Sequence, residues 1–138
     1  MLITTTPANT SAHDNPARLW TNALLAGLAA AATTTTAAGL THAFGSPPAV
    51  SGEEVPLYAF AQLTLMGALL GAIIAKVISI RLRHPRRAFL RIACVLTVIS
   101  IVPDVVVDAT IGSRLTLAFT HVVAAAVIVP ALARRLAR

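Results

Sequence analysis

Two carboxylates stand in a segment that is otherwise as apolar as the interior of a bilayer. The stretch from Ile99 to Arg114 reads "ISIVPDVVVDATIGSR", with Asp104 directly after Pro103 and Asp108 four residues later. A carboxylate inside a membrane must find a partner or take up a proton, and such residues often mark proton relays and ion pathways. The alternative is that a helix ends here and both acids lie in water.

His121 is the side chain best placed to partner Asp104. With the membrane spans given below, a rise of ~1.5 Å per residue puts Asp104 ~6 Å, Gln62 ~8 Å and His121 ~9 Å inside the outer boundary. We therefore predict a candidate intramembrane polar cluster of Asp104, His121 and Gln62. Three interpretations of Asp104 stay open: a helix end in headgroup water with Arg114 as partner, a structural hydrogen bond to His121, and a proton-linked or ligand-binding site.

The fold class follows from composition. Of the 138 residues, 57% are hydrophobic and 12% charged, whereas soluble domains carry about 25% charged residues. The mean hydropathy is +0.79, and the chain contains four apolar runs close to the ~20 residues that a spanning helix needs. Short connections make successive helices antiparallel neighbours. The sequence therefore predicts an all-α polytopic membrane protein, with four transmembrane helices in an up-down-up-down bundle.

The predicted organisation is a short tail and one membrane domain. Residues 1–17 are rich in Thr, Asn and Pro and are predicted to be a disordered cytoplasmic tail. Residues 18–138 form the membrane domain, with spans predicted at about 19–44, 57–80, 88–110 and 115–133. The segment "GSPPAVSGEEVP" between the first two spans is predicted to be a turn-rich loop. Alternatively, the first run is a signal peptide cleaved near Ala43, although it is long for one.

Basic residues predict the orientation of the chain. They fill one loop, precede the first span and form the C-terminal tail; those of the loop are Arg81, Arg83, Arg86 and Arg87. The positive-inside rule places this loop and both termini in the cytoplasm, and the protein in the plasma (inner) membrane as a multi-pass protein. Anionic lipid at the cytoplasmic face is the expected partner of these bases. The net charge of +6 is thereby explained without nucleic acid, for which aromatic interleaving is lacking.

Small residues on the second span are candidates for helix packing. Gly67 and Gly71 form a G-x-x-x-G pair, and Ala75 follows one turn later. Within a membrane such residues let two helix backbones approach closely. Packing within the chain, a homodimer face and a chance occurrence all remain open.

Two longer passages carry a resemblance to a known family. The passages are "HPRRAFLRIACVLTVISIVPD" and "THVVAAAVIVPALARRL", and with the four spans they resemble a family of small actinobacterial membrane proteins of unknown function. The likeness covers most of the chain from about Arg18 onward. Its most specific positions are residues 85–87, Ser100 with Pro103, and His121. The resemblance implies the four-span fold and carries no activity with it.

The function predicted from the sequence is that of a non-enzymatic scaffold or accessory subunit in the plasma membrane. Its expected partners are the lipid bilayer and another membrane protein or a second copy of the chain. The alternative is a small proton-linked transporter or exporter using Asp104 and His121, although transporter sites usually lie at the midplane. An enzyme is disfavoured, because Ser79 and Ser100 have no nearby His in the sequence and Cys94 is the single cysteine. No catalytic residue, metal site or cofactor is predicted.

Overall fold

Four long helices make up most of the structure, a computed structural model that describes residues 16–136. They are α1 Pro16–Ala43, α2 Leu57–Arg81, α3 Pro85–Val106 and α4 Ile111–Ala133, and a 3₁₀ turn at Arg134–Leu136 follows α4. Each of the four helices is long and apolar enough to cross a membrane. The prediction of an all-α polytopic membrane protein with an up-down-up-down bundle is confirmed. Of the predicted N-terminal tail, residues 1–15 lie outside the described residues.

The ends of α3 and α4 differ from the predicted spans for local chemical reasons. Pro85 is the first residue of α3, a position where the missing N–H of proline costs nothing, so the helix begins three residues before the predicted span. It ends at Val106, one turn after Pro103 and four residues before the predicted end, with Val107 already extended. Helix α4 begins at Ile111, four residues early, because the Thr110 hydroxyl accepts a hydrogen bond from the Ser113 N–H at 3.2 Å.

A small β-hairpin occupies the predicted loop between α1 and α2. Strand β1, Ala49–Val50, pairs antiparallel with strand β2, Glu53–Glu54. Ser51 and Gly52 join them with φ angles of 53° and 84°, the positive values that a two-residue type I′ turn requires. This hairpin, residues 49–54, also contacts the α3–α4 connection, since the Ser51 N–H donates to the Asp108 carbonyl at 2.7 Å. We call this end of the bundle the hairpin end and the opposite end, with the α2–α3 connection, the basic end.

Helix α1 is the centre of the packing. It contacts α2 and α4 most extensively, α3 packs mainly on α4, and α2 and α3 contact each other much less. The helices are therefore arranged around the bundle in the order α2, α1, α4, α3, with the loosest contact between α3 and α2. Alanines dominate the α1–α2 contact; those that are buried include Ala23, Ala30, Ala68, Ala72 and Ala75. Small side chains matter here because lipid supplies no hydrophobic drive between helices, so close approach must stabilise the contact.

The small residues predicted to pack α2 do not share one contact surface. Ala75 is fully buried in the core together with Ala68 and Ala72. Gly67 is exposed, and a Cβ built on it would meet nothing within 4 Å. A Cβ on Gly71 would lie 3.3 Å from Leu132 of α4. The tightest approach instead involves α1, where a Cβ on Gly27 would lie 2.9 Å from the Ala68 Cβ.

Two matched Gly→Ala substitutions test this packing. Gly27→Ala should lower the free energy of unfolding by ~1–3 kcal/mol, because the added methyl forces α1 and α2 apart. Gly67→Ala should leave it unchanged or raise it by up to about 1 kcal/mol, because its methyl meets open space and alanine favours the helix. Reversible unfolding in mixed detergent micelles, followed by circular dichroism, measures both. Equal effects of the two substitutions would contradict the α1–α2 contact described above.

Candidate functional site

Asp104 and His121 form an ion-pair contact between α3 and α4. The Asp104 Oδ2 atom lies 2.7 Å from His121 Nδ1. Asp104 is in the last turn of α3, and its side chain is buried. His121 lies on α4, ~15 Å along the helix from Ile111 by helical rise, and its side chain is half-buried. Both residues belong to helices that are long and apolar enough to cross a membrane.

The surroundings of the imidazole fix the position of one proton. Nδ1 lies 3.1 Å from the Leu117 carbonyl oxygen as well as 2.7 Å from Asp104. Asp104 Oδ2 makes no hydrogen bond of good geometry, so its 2.7 Å approach to Nδ1 is an ion-pair contact when the ring is protonated. Because a carbonyl and a carboxylate both accept, we assign a proton to Nδ1. Nε2 has no partner among residues 16–136; it accepts a hydrogen bond when the ring is neutral and donates one when the ring is charged.

The other polar residues predicted at this depth lie apart from the pair. Gln62 is exposed, and it makes no hydrogen bond within the part of the chain that the structure describes. Asp108 is exposed beyond the end of α3 and forms no ion pair with Arg114 among the described residues. The two acids of the opening segment thus differ in their environments. Asp108 is a residue at a helix end, whereas Asp104 is withdrawn between two helices.

A cleft bounded by α2, α3 and α4 opens next to the pair. Its volume is about 420 Å³, within the usual range for ligand sites, and its walls are mostly apolar. It extends from Val55 and Phe60 near the hairpin end to Phe89 and Val129 near the basic end, and His121 forms part of its wall. This cleft was not predicted from the sequence. The signal that could have revealed it is the Gly67–Gly71 pair, since both glycines line the cleft and leave space there.

The hydroxyl groups in the wall of this cleft are already satisfied. Each of three hydroxyls donates to a carbonyl of its own helix at 2.8 Å: Thr97, Ser100 and Thr120. The Thr64 hydroxyl lies 3.0 Å from that of Thr34 on α1. Such internal bonds use the hydroxyl protons, so these oxygens can accept a hydrogen bond from a ligand but have none to donate. Among the described residues that line the cleft, His121 is therefore the one side chain that can donate to an occupant as well as accept from it.

Basic side chains gather at the other end of the bundle. All four arginines predicted for the α2–α3 connection are exposed there: Arg81, Arg83, Arg86 and Arg87. A second, smaller cavity of about 280 Å³ lies at the same end, between the start of α1 and the end of α4, and is lined by Ala17, Arg18, Thr21, Asn22 and Arg135. The acidic Glu53 and Glu54 lie in the hairpin at the opposite end. The bundle is thus strongly polarised in charge along its axis.

The candidate metal-ligating side chains of the described residues do not gather at one place. Within residues 16–136, no group of three His, Cys, Asp or Glu side chains lies close enough to hold a metal ion. His42 is exposed in the last turn of α1. Cys94 is exposed on α3. The chemistry that this arrangement offers is hydrogen bonding and proton exchange at a single imidazole backed by a carboxylate.

A protein-family model matches the part of the chain that contains the bundle and the Asp104–His121 pair. The model of DUF6069, a family of unknown function, matches residues 14–138. The chain belongs to this family. The match includes all four helices of the bundle and both members of the Asp104–His121 pair, and it confirms the resemblance to a family of unknown function. Comparison of this DUF6069 member with curated proteins and with solved structures gave no match. The chain is an integral membrane protein of unknown activity.

A double-mutant cycle measures how strongly the pair couples α3 to α4. His121→Leu should destabilise the protein by ~1–3 kcal/mol, because it leaves the buried Asp104 carboxyl without a partner. Combining it with Asp104→Leu should restore part of that loss, with an interaction energy of ~0.5–3 kcal/mol. Unfolding in mixed micelles gives all four free energies, and Asp108→Leu is the control at the exposed acid. Simple addition of the two single effects would contradict a coupled pair.

Proposed function

We propose that this protein is a non-enzymatic accessory subunit or scaffold of the plasma membrane, and that the outer face of α3 contacts its partner. The observation that supports this proposal is how little of α3 packs within the chain. Phe89 and Asp104 are its buried residues, while Val95, Val98 and Val102 are more than half exposed. A helix held by a few contacts leaves most of its surface for a second membrane protein or another copy of this chain.

The polarised charge supports the proposed location and orientation. The exposed arginines at the basic end satisfy the positive-inside rule if that end lies in the cytoplasm. Both termini are then cytoplasmic, and the hairpin faces the outside. Anionic lipid is the proposed partner of this end, since each base near such a surface contributes ~1 kcal/mol. The cavity with Arg18 and Arg135 in its wall offers a place for a lipid headgroup.

In-cell photo-crosslinking tests the accessory role. A photoreactive amino acid in place of Val98 should give one discrete protein adduct, because this position is on the exposed face of α3. The matched control replaces Leu28, which is exposed on α1 and lies at a similar distance from the basic end by helical rise. Co-expression of differently tagged chains separates a second copy from another protein. Adducts with lipid alone, or the same adducts at both positions, would contradict the proposal.

A proton-linked transporter or exporter is the second candidate, and the 2.7 Å contact between Asp104 and His121 favours it. An acid and a base inside a membrane can exchange a proton with a substrate or with each other. The pair lies toward the hairpin end, however, and no second titratable side chain lines the cleft toward the basic end. If the chain is a transporter, reconstituted vesicles should show a proton flux that Asp104→Asn abolishes while the protein stays folded. An accessory subunit shows no such flux in either form.

A further inference from the structure

We propose that the cleft between α2, α3 and α4 binds an isoprenoid quinol or quinone, with its ring at His121. The cleft contacts none of the outer valine face assigned to a partner protein, so this proposal is independent of the accessory role. Three features of the cleft support it: its direction along the bundle, the depth of its single polar contact, and the two hydrogen-bonding states open to that contact.

The shape of the cleft suits a long apolar chain. From His121 the cleft continues along α4 to Val129, a distance of ~12 Å by helical rise. Gly71, Ile74 and Phe89 form its walls in this lower part. Because α2 and α3 contact each other weakly, the cleft is accessible from the side, between two helices that face the bilayer. A ligand already dissolved in the membrane can therefore enter without passing through water.

The depth of His121 selects the class of lipid. The imidazole is the one side chain of the cleft wall that can both donate and accept a hydrogen bond, and it lies ~15 Å along α4 from Ile111. A diacyl phospholipid keeps its phosphate and ester groups near the bilayer surface and offers only hydrocarbon at this depth. A quinol or quinone ring, in contrast, carries its oxygens directly on the apolar molecule and enters the hydrocarbon region. Such a ring can place one oxygen at His121 while its isoprenoid tail follows the lower cleft.

The Asp104–His121 pair can serve both oxidation states of this ligand. With the Nδ1 proton held between Asp104 and the Leu117 carbonyl, the neutral ring accepts a hydrogen bond at Nε2 from a quinol hydroxyl. When the ring is protonated, the Asp104 carboxylate balances its charge and Nε2 donates to a quinone carbonyl. The proposal concerns binding alone and includes no electron transfer.

Fluorescence quenching by a decyl-substituted benzoquinone tests the proposal on the full chain in phosphatidylcholine vesicles. The reporter is Leu96→Trp in the cleft wall, in a Trp20→Phe background that removes the single native tryptophan. The control reporter is Leu69→Trp, which lies at a similar distance from the basic end on α2 by helical rise and is exposed outside the cleft. We expect saturable quenching of the cleft reporter and linear quenching, from partition alone, of the control.

Two further substitutions test the contact with His121 and the open space of the cleft. In the Leu96→Trp background, His121→Ala should weaken binding by about tenfold, equivalent to about 1.4 kcal/mol. Gly67→Leu leaves the pair intact, meets no atom within 4 Å of its Cβ and fills the cleft, so saturable quenching should disappear. Linear quenching of both reporters would overturn the proposal. Saturable binding that neither substitution changes would overturn it as well, since a site for any hydrocarbon elsewhere would then explain the signal.

Discussion

The contact between Asp104 and His121 is the constraint on which the arrangement of α3 depends. A carboxyl group in a medium without water is costly unless it has a polar partner, and the cost rises as the local dielectric falls. Helix α3 buries little else than Phe89 near one end and Asp104 near the other. The pair therefore sets the rotation and axial position of α3 against α4. Hydrophobic burial could not do so, because lipid is as apolar as the helix surface.

The other three helices are held together by close packing of small side chains. Helices α1, α2 and α4 pack through alanine and glycine, with α1 in the middle, whereas α3 packs mainly on α4 and more weakly on α2. The cleft between α2 and α3 is the consequence. At the hairpin end, the Ser51 N–H donates to the Asp108 carbonyl and the Ala49 N–H donates to the Ser113 hydroxyl, so the hairpin is bonded to the α3–α4 connection and to the start of α4. The molecule thus combines two helices packed closely on α1 with a fourth helix whose buried residues lie near its two ends.

The sequence predicts how deep each residue lies along its helix, but not which way the helix is rotated about its axis. Counting gives depth, because each helical residue advances ~1.5 Å along the axis, so the four spans and the similar depths of Asp104 and His121 were accessible. Rotation about the axis was not, because the helices are apolar on all sides and no polar stripe marks an inner face. Gln62 therefore lies at the right depth but on the exposed surface, and Gly67 faces the cleft while Ala75 faces the core. The hairpin was missed because its turn is Ser51–Gly52, a weaker signal than Asn-Gly.

Labelling by a membrane-impermeant maleimide in intact cells tests most directly whether Asp104 is withdrawn from water. Single cysteines would replace His84, Asp104, Asp108 or His121 in a Cys94→Ala background. The structure, with the orientation proposed above, predicts labelling from outside at position 108 and none at 104, 121 or 84. Helix α3 buries residue 104 before it ends, and residue 84 lies at the end that we propose to be cytoplasmic. Labelling at 104 as rapid as at 108 would contradict it. Asp104 would then be an acid in water, and neither the pair nor the quinol site could stand.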